Sequence, residues 1–167
     1  MPDASLYHFG VLMSNAHMAW MRTVGGYFGP SYQYSVNVVY NNFPWPTPTP
    51  EQQAKIAETA QMILDARANH PSCSLAELYG EKMYLFTDLV TAHQQNDIAV
   101  WEAYGRAWDM TTESACVAHL MKLYQHLTAG NVVNARYKVN KGRLAGAGSS
   151  HDRNGLAGFR LEAYIVQ

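Results

Sequence analysis

Four groupings of side chains in this sequence have types and spacings that suit chemistry, and each points to a different kind. Cys116 and His119 stand three apart with His126 seven further on, which would put two or three metal ligands on one helix face. A structural zinc site uses four ligands and a catalytic one uses three plus water. No fourth residue is spaced to complete the set, so a core cysteine and surface histidines are the expectation, with no metal. His93 and Asp97, four apart, have the spacing of an acid–base pair and equally of an ordinary helix-surface hydrogen bond; no nucleophile or oxyanion donor accompanies them. Gly142, Gly146, Gly148 and Ser149 lie in a glycine-rich stretch without the lysine that reaches phosphates or the glycine pattern of a dinucleotide turn, and it reads as flexible linker. The last grouping is a polar row, Ser31, Gln33, Ser35, Asn37, Asn41 and Asn42, set among tyrosines. Gln and Asn can bond the N7 and N6 edges of adenine together, and Tyr and Ser can hold phosphates. Polar residues also line the outer side of any ordinary strand, so the row has two readings.

Asn42-Phe43-Pro44-Trp45 has the outline of the Asn-Pro-Pro-aromatic loop that grips a flipped base in amino-methyltransferases. Its second position is Phe, and no glycine-rich strand-to-helix turn for S-adenosylmethionine lies upstream, so it is excluded as a catalytic loop. No catalytic or cofactor-binding residues are expected in this chain.

The secondary structure around these residues can be read from periodicity and punctuation. Ser5 caps a helix expected to run from Leu6 to about Val24, with Phe9, Leu12, Met13, Trp20 and Val24 near one face, ended by Gly25-Gly26. Tyr32, Tyr34, Val36 and Val38 alternate with Gln33, Ser35 and Asn37, the period of a half-buried strand. Pro44, Pro46, Pro48 and Pro50 then forbid helix and central strand alike, leaving a stiff exit whose Phe43 and Trp45 can pin it down or simply fill a core. Thr49-Pro50-Glu51-Gln52 has a cap, a first-turn proline and a capping-box partner, and opens a helix to about Ala68 with Ile56, Ala60, Ile63 and Leu64 as its stripe. Ser74 caps a short helix through Leu75, Leu78 and Tyr79. A helix from about Phe86 to Tyr104 is expected to bury Leu89, Val90, His93, Val100 and Trp101. Thr111 or Thr112 caps the last, with Cys116, Leu120, Leu123, Tyr124 and Leu127 as its stripe and Gly130 as its stop. The fold class is therefore mainly α: a small helical bundle preceded by a helix and a short β segment. Beyond Asn131 glycine and serine suggest flexible chain, with one late strand possible over Phe159 to Val166.

Bulk properties set bounds. The 167 residues suffice for one ordinary domain or two small ones. Residues 1–130 carry six Lys/Arg against eleven Asp/Glu, whereas 131–167 carry six against two, so an acidic body precedes a basic tail. Two cysteines do not make a disulfide scaffold, no stretch reaches membrane-spanning length, and the amino end lacks a signal-peptide pattern. A cytoplasmic location and no membrane partner are expected. Met1 is followed almost at once by an apolar helix that needs a partner, which suggests a fragment.

The residues Tyr7-His8-Phe9-Gly10-Val11-Leu12, Ser14, His17-Met18-Ala19-Trp20-Met21-Arg22, Tyr32-Gln33-Tyr34-Ser35, Val39 to Pro46, Leu75-Ala76-Glu77-Leu78-Tyr79, Ala92-His93, Asp97 and Ala103-Tyr104-Gly105 resemble, in order, the end of the MmeI-like single-chain restriction-modification enzymes. These are DNA adenine methyltransferases that usually also carry a nuclease domain. The resemblance spans residues 5–128 and implies that residues 1–46 are the last part of a truncated α+β target-recognition domain. It makes 47–130 the carboxy-terminal helical domain and leaves 131–167 as an unrelated basic tail. It implies double-stranded DNA and an upstream methyltransferase domain as partners. S-adenosylmethionine, with Mg for any nuclease, belongs to the parent family and not to this segment, which should neither methylate nor cut.

The family reads base pairs with alternating residues just before a Tyr-x-Tyr-Ser step, which places Gly29, Ser31 and Gln33 on the reading surface, with Ser35 and Arg22 beside it. Gly29-Pro30 and Gln33 stand here where acidic and arginine side chains are frequent in the family, so the recognition sequence should differ. A helical protein-interaction scaffold without nucleic-acid binding is the alternative. The scarcity of Lys/Arg over 1–130 favours it, because phosphate neutralisation supplies most DNA affinity.

Overall fold

The computed structural model describes residues 4–105 and 112–143, with side chains in the last stretch through Ala129. Residues Met1–Thr128 form one compact unit and the chain from Ala129 a second. The described elements are α1 (Leu6–Met13), α2 (Asn15–Val24), β1 (Gly26–Phe28), β2 (Ser31–Gln33), a π-helical turn (Val36–Tyr40), α3 (Pro50–Ala68), α4 (Leu75–Leu78), a 3-10 turn (Met83–Leu85), α5 (Thr87–Ala103) and α6 (Glu113–Arg143). The chain is mainly helical, as its periodicity requires.

Local capping sets several boundaries as the sequence dictates. Thr49 accepts from the Gln52 amide at 3.3 Å while the Gln52 side chain accepts from the Thr49 amide at 2.9 Å, closing a capping box ahead of Pro50. Ser74 and Glu77 repeat the device at α4. Thr112 accepts from the Ala115 amide at the start of α6. These satisfy helix amides that would otherwise be orphaned.

Packing overrides the sequence at four places. The helix expected over residues 6–24 is two, because Ser14 adopts an extended conformation (φ −77°, ψ 157°). Its hydroxyl donates to Val11 O at 2.6 Å and accepts from the His17 amide at 3.4 Å, capping both ends of the break. The expected strand ends near Gln33. Val36 and Val38 are exposed and Val39 is fully buried, so the residue that enters the core has the opposite parity to the alternation, and the backbone coils into a π-helical turn to deliver it. Gly130 does not stop the last helix, which continues to Arg143. Val90, His93 and Leu123 are only half-buried, and Leu127 lies exposed. The glycine-rich stretch from Gly146, and any strand over Phe159 to Val166, lie outside the described residues.

One core joins the amino-terminal helices to the bundle: Tyr7, Val11, Trp20, Val39 and Phe43 pack with Ile56, Val100, Trp101, Cys116 and Leu120. Burial of this apolar surface is what orders the proline-rich exit. Phe43 is 4% exposed and meets His17 edge-on at 4.7 Å, the Pro44 carbonyl accepts from the Tyr104 hydroxyl at 2.8 Å, and Trp45 packs on Phe43 and Tyr40. Phe43 is a core residue, and Trp45 packs half-buried against the core.

Candidate nucleic-acid interface

The polar row begins on a two-stranded antiparallel hairpin whose pairs are Gly26 with Gln33, Tyr27 with Tyr32 and Phe28 with Ser31. That register leaves a two-residue loop, Gly29-Pro30. Gly29 has φ +59°, and Pro30 can only have negative φ, the combination of a primed hairpin turn with glycine first. The six strand residues are all exposed.

Side chains alternate between strand faces, so Ser31 and Gln33 share one face with Phe28, and Tyr27 and Tyr32 share the other. The two tyrosine rings sit 4.7 Å apart, a cross-strand contact that stiffens a ribbon too short to be stable alone. From Gly25 to Asn42 the chain has no charged residue.

Residues on either side of the ribbon moor it to the core. The Tyr34 hydroxyl lies 3.1 Å from His17 Nε2, and His17 is buried, with no hydrogen-bond partner for Nδ1 among the described residues. Burial lowers the His17 pKa from the ordinary 6.5 to about 4, so the ring is neutral at pH 7. Trp20 Nε1 donates to Val39 O at 3.0 Å, and Asn42 Nδ2 donates to the carbonyls of Asn37 and Val38 at 2.8 and 3.1 Å. Asn42 thus works as a cap for the π-helical turn, and Asn41 Nδ2 reaches Asn37 Oδ1 at 3.4 Å. Ser35 is half-buried, its carbonyl accepting from the Val39 amide at 2.7 Å.

Gly29, Ser31 and Gln33 therefore come together at the exposed end of one ribbon, and Ser35 lies at its root. Arg22 is held by Glu113 in a two-pronged ion pair at 2.8 and 3.0 Å. The nearest guanidinium to the hairpin in sequence already has a carboxylate partner.

The other groupings resolve into structural contacts. His93 and Asp97 point to different partners. Arg67 donates twice to the Tyr79 hydroxyl, at 2.8 and 2.7 Å, so the Tyr79 proton is directed to His93 Nε2 at 2.7 Å; burial and then the Arg67 charge lower the His93 pKa. Asp97 accepts from the Asn15 amide at 2.7 Å, at the start of α2. Cys116 is buried, His119 packs half-buried against the rings of Trp101 and Tyr104 rather than on the surface, and His126 is exposed. No group of three His, Cys, Asp or Glu suited to a metal ion occurs among the described residues. None of the described helices is long and apolar enough to cross a membrane.

Sequence reasoning missed what holds the α1–α2 break. Asn96, fully buried on α5, donates through Nδ2 to Gly10 O at 2.8 Å; Asp97 takes the first amide of α2; and Trp101 Nε1 donates to Asn15 Oδ1 at 2.8 Å. One stretch of α5 thereby satisfies a carbonyl at the end of one helix and an amide at the start of the next. The only sequence signal was an Asn on the apolar stripe of α5.

Burial raises the Asp97 pKa from 3.8 to about 6, against the pull of the Asn15 amide. The folded state therefore holds that proton more tightly than the unfolded chain. The stability it contributes is fully present below about pH 4 and is lost as pH rises through 6. His17 acts oppositely: its contribution is present above about 6.5 and is lost as pH falls through 4. Asp97→Asn keeps an acceptor for the Asn15 amide and removes the Asp97 slope, leaving those of His17 and the other shifted groups common to both proteins. Its melting temperature should exceed that of the parent at pH 7.5 and lose this advantage steadily towards pH 4. Thermal melts across that range would contradict the assignment if the difference stayed constant.

Two family models match the chain. Residues 1–47 match the MmeI target-recognition domain and residues 48–132 the MmeI C-terminal domain. The chain is 36% identical over 126 residues to DNA methyltransferase A of Bacillus subtilis (strain 168), covering 75% of this chain and 14% of that protein. It superposes on the type IIL restriction-modification enzyme MmeI, solved in complex with DNA, with a TM-score of 0.71 and 43% identity, covering 76% of this chain and 17% of the other. The chain thus spans about a sixth of the length of these relatives or less.

Proposed function

Since this chain belongs to the MmeI family, carrying its target-recognition and C-terminal domains, we propose that the 26–33 hairpin reads DNA base edges within a site-specific adenine methyltransferase of restriction-modification type. The observation that carries this reading is the placement of Ser31 and Gln33 side by side on the exposed face of a moored, uncharged ribbon. A two-stranded ribbon fits the major groove, and a Gln amide can make the paired contact to adenine that discriminates by about 1–3 kcal/mol. Gly29 brings the ribbon round without adding bulk at its tip, and Ser35 supports its root.

An uncharged reading surface supplies specificity and little affinity. Phosphate contacts, which position a protein on the duplex, would come from the larger part of such an enzyme, as would S-adenosylmethionine binding, methyl transfer and any Mg-dependent nuclease. Arg22 can join the phosphate contacts only by exchanging Glu113 for DNA, so we assign it a secondary role. Residues 50–128 serve as the clamp that fixes the ribbon's orientation through the shared core.

The test is Gln33→Ala in a full-length family methyltransferase carrying this segment. The methylated-site consensus should relax at one base position, with activity and fold retained. An unchanged consensus at every position, at normal activity, would remove Gln33 from the reading surface.

A further inference from the structure

The hairpin contains one glycine that nothing among the described residues requires. At Gly25, which ends α2, a Cβ would fall 2.5 Å from Met21 O, and Gly29 needs its positive φ for the turn. Gly26 has neither reason. Its φ lies outside the left-handed region, and a Cβ built on it meets no heavy atom of the described residues within 4 Å beyond its chain neighbours. For the fold alone a residue with a side chain would be preferred there, because glycine loses more conformational freedom in a strand and contributes no packing. The register has no bulge at Gly26, and a strand glycine without one is often a place where a ligand or another backbone comes close.

What that space adjoins is specific. Gly26 pairs with Gln33, so the missing side chain would have stood about 5.5 Å away between Cα atoms, on the same face as the Gln33 amide. Phe28 and Ser31 complete that face, Phe28 with 81% of its surface exposed. The opposite face is closed by the Tyr27–Tyr32 contact.

We propose that the face formed by Phe28, Ser31 and Gln33 around the bare Gly26 seats in a DNA groove, and that Gly26 is a specificity-determining position where the strand backbone closes on base-pair edges. This role for Gly26 rests on the base-reading role of the hairpin and adds the orientation of the ribbon and its point of closest approach. Double-stranded DNA suits the face because amide, hydroxyl and apolar groups match base edges and the thymine methyl, whereas a surface that tracked phosphates would need Lys or Arg. With no side chain at Gly26, Gln33 can reach a base without a neighbour filling the gap beside it.

The experiment uses a full-length family methyltransferase into which residues 1–132 have been grafted and whose methylated site has been mapped. Gly26→Val, with Gly26→Ala as the milder step, is compared with Gln33→Ala on duplexes bearing the mapped site. Valine suits an exposed strand, so the melting temperature should hold or rise, while kcat/KM on the mapped site falls at least about tenfold, less for alanine. A tenfold loss corresponds to about 1.4 kcal/mol of binding in the transition state. Undiminished kcat/KM for Gly26→Val, with Gln33→Ala still changing the consensus, overturns the role of Gly26 alone. If neither variant has an effect, the base-reading role fails as well. A fall in melting temperature of more than about 5 °C for Gly26→Val also overturns it, because the glycine would then serve the fold.

Discussion

Trp20→Ala should cost about 3–5 kcal/mol of unfolding free energy, the range for deleting a buried large aromatic from a core that cannot collapse around the gap. Trp20 is 2% exposed, packs on Phe43 at 6.3 Å and Tyr124 at 5.6 Å between ring centres, and its Nε1 is the donor to Val39 O. The substitution therefore opens a cavity and also releases the buried end of the π-helical turn. Against a total stability of roughly 5–15 kcal/mol this is about a fifth or more. Trp20→Phe separates the two effects: it keeps most of the ring and forfeits the hydrogen bond, for about 0.5–1.5 kcal/mol plus a small packing loss. Urea titrations of the three proteins would measure this. A loss under about 1 kcal/mol for Trp20→Ala would mean that the turn is not seated on the tryptophan.

Asn96→Ala should come next, at about 3 kcal/mol, through stranded polarity more than lost volume. The Gly10 carbonyl can only accept, so Nδ2 of Asn96 must face it and Oδ1 must face the Thr59 hydroxyl, 3.2 Å away. Removing the amide leaves a buried acceptor, which costs about 1–3 kcal/mol by itself, and adds a cavity where α1, α3 and α5 meet. Asn96→Leu fills the volume and leaves the carbonyl stranded. If hydrogen bonding dominates, leucine should rescue less than half of the loss. Full rescue by leucine would show that the site needs only bulk.

The two substitutions probe the same architectural decision, the break at Ser14. A helix from Leu6 to Val24 is what the apolar periodicity of residues 6–24 specifies locally: Ser14 and Asn15 can cap, but neither they nor their immediate neighbours are glycine or proline, so the break is not enforced. Ending α1 there exposes carbonyls, and the groups that satisfy them come partly from the Ser14 hydroxyl and partly from Asn96, 86 residues away from Gly10 in sequence. With the break in place, α1 lies along α3 while α2 carries Trp20 to Val39, which anchors the base of the ribbon. Core packing thus bears directly on the ribbon proposed to read DNA.

The candidate site was partly legible in advance. Ser31 and Gln33 lie on one face because a period of two is intrinsic to extended backbone, and it holds in a strand of three residues. The hairpin was missed: the alternation through Val38 reads as one strand, although Gly29-Pro30 has the form of a glycine-first two-residue turn. Gly26 gave no signal, since the role proposed for it rests on open space among the described residues, which only the tertiary structure reveals.

Features decided by nearest neighbours along the chain could be read from sequence alone: the capping box at Thr49, the cap at Ser74, the apolar stripe of α3, the end of α2 at Gly25 and the family to which these motifs belong. Caps and stripes act within one or two helical turns, so a short window contains the whole cause. Three-dimensional packing was needed to bury Val39 and not Val38, to pair Arg22 with Glu113 across 91 residues, to hold a broken helix with Asn96 and Asp97, and to carry α6 past Gly130. Buried acceptors, charges and aromatic rings must be matched across the fold, and the cost of leaving one unmatched exceeds the few tenths of a kcal/mol by which local propensity prefers one backbone conformation to another.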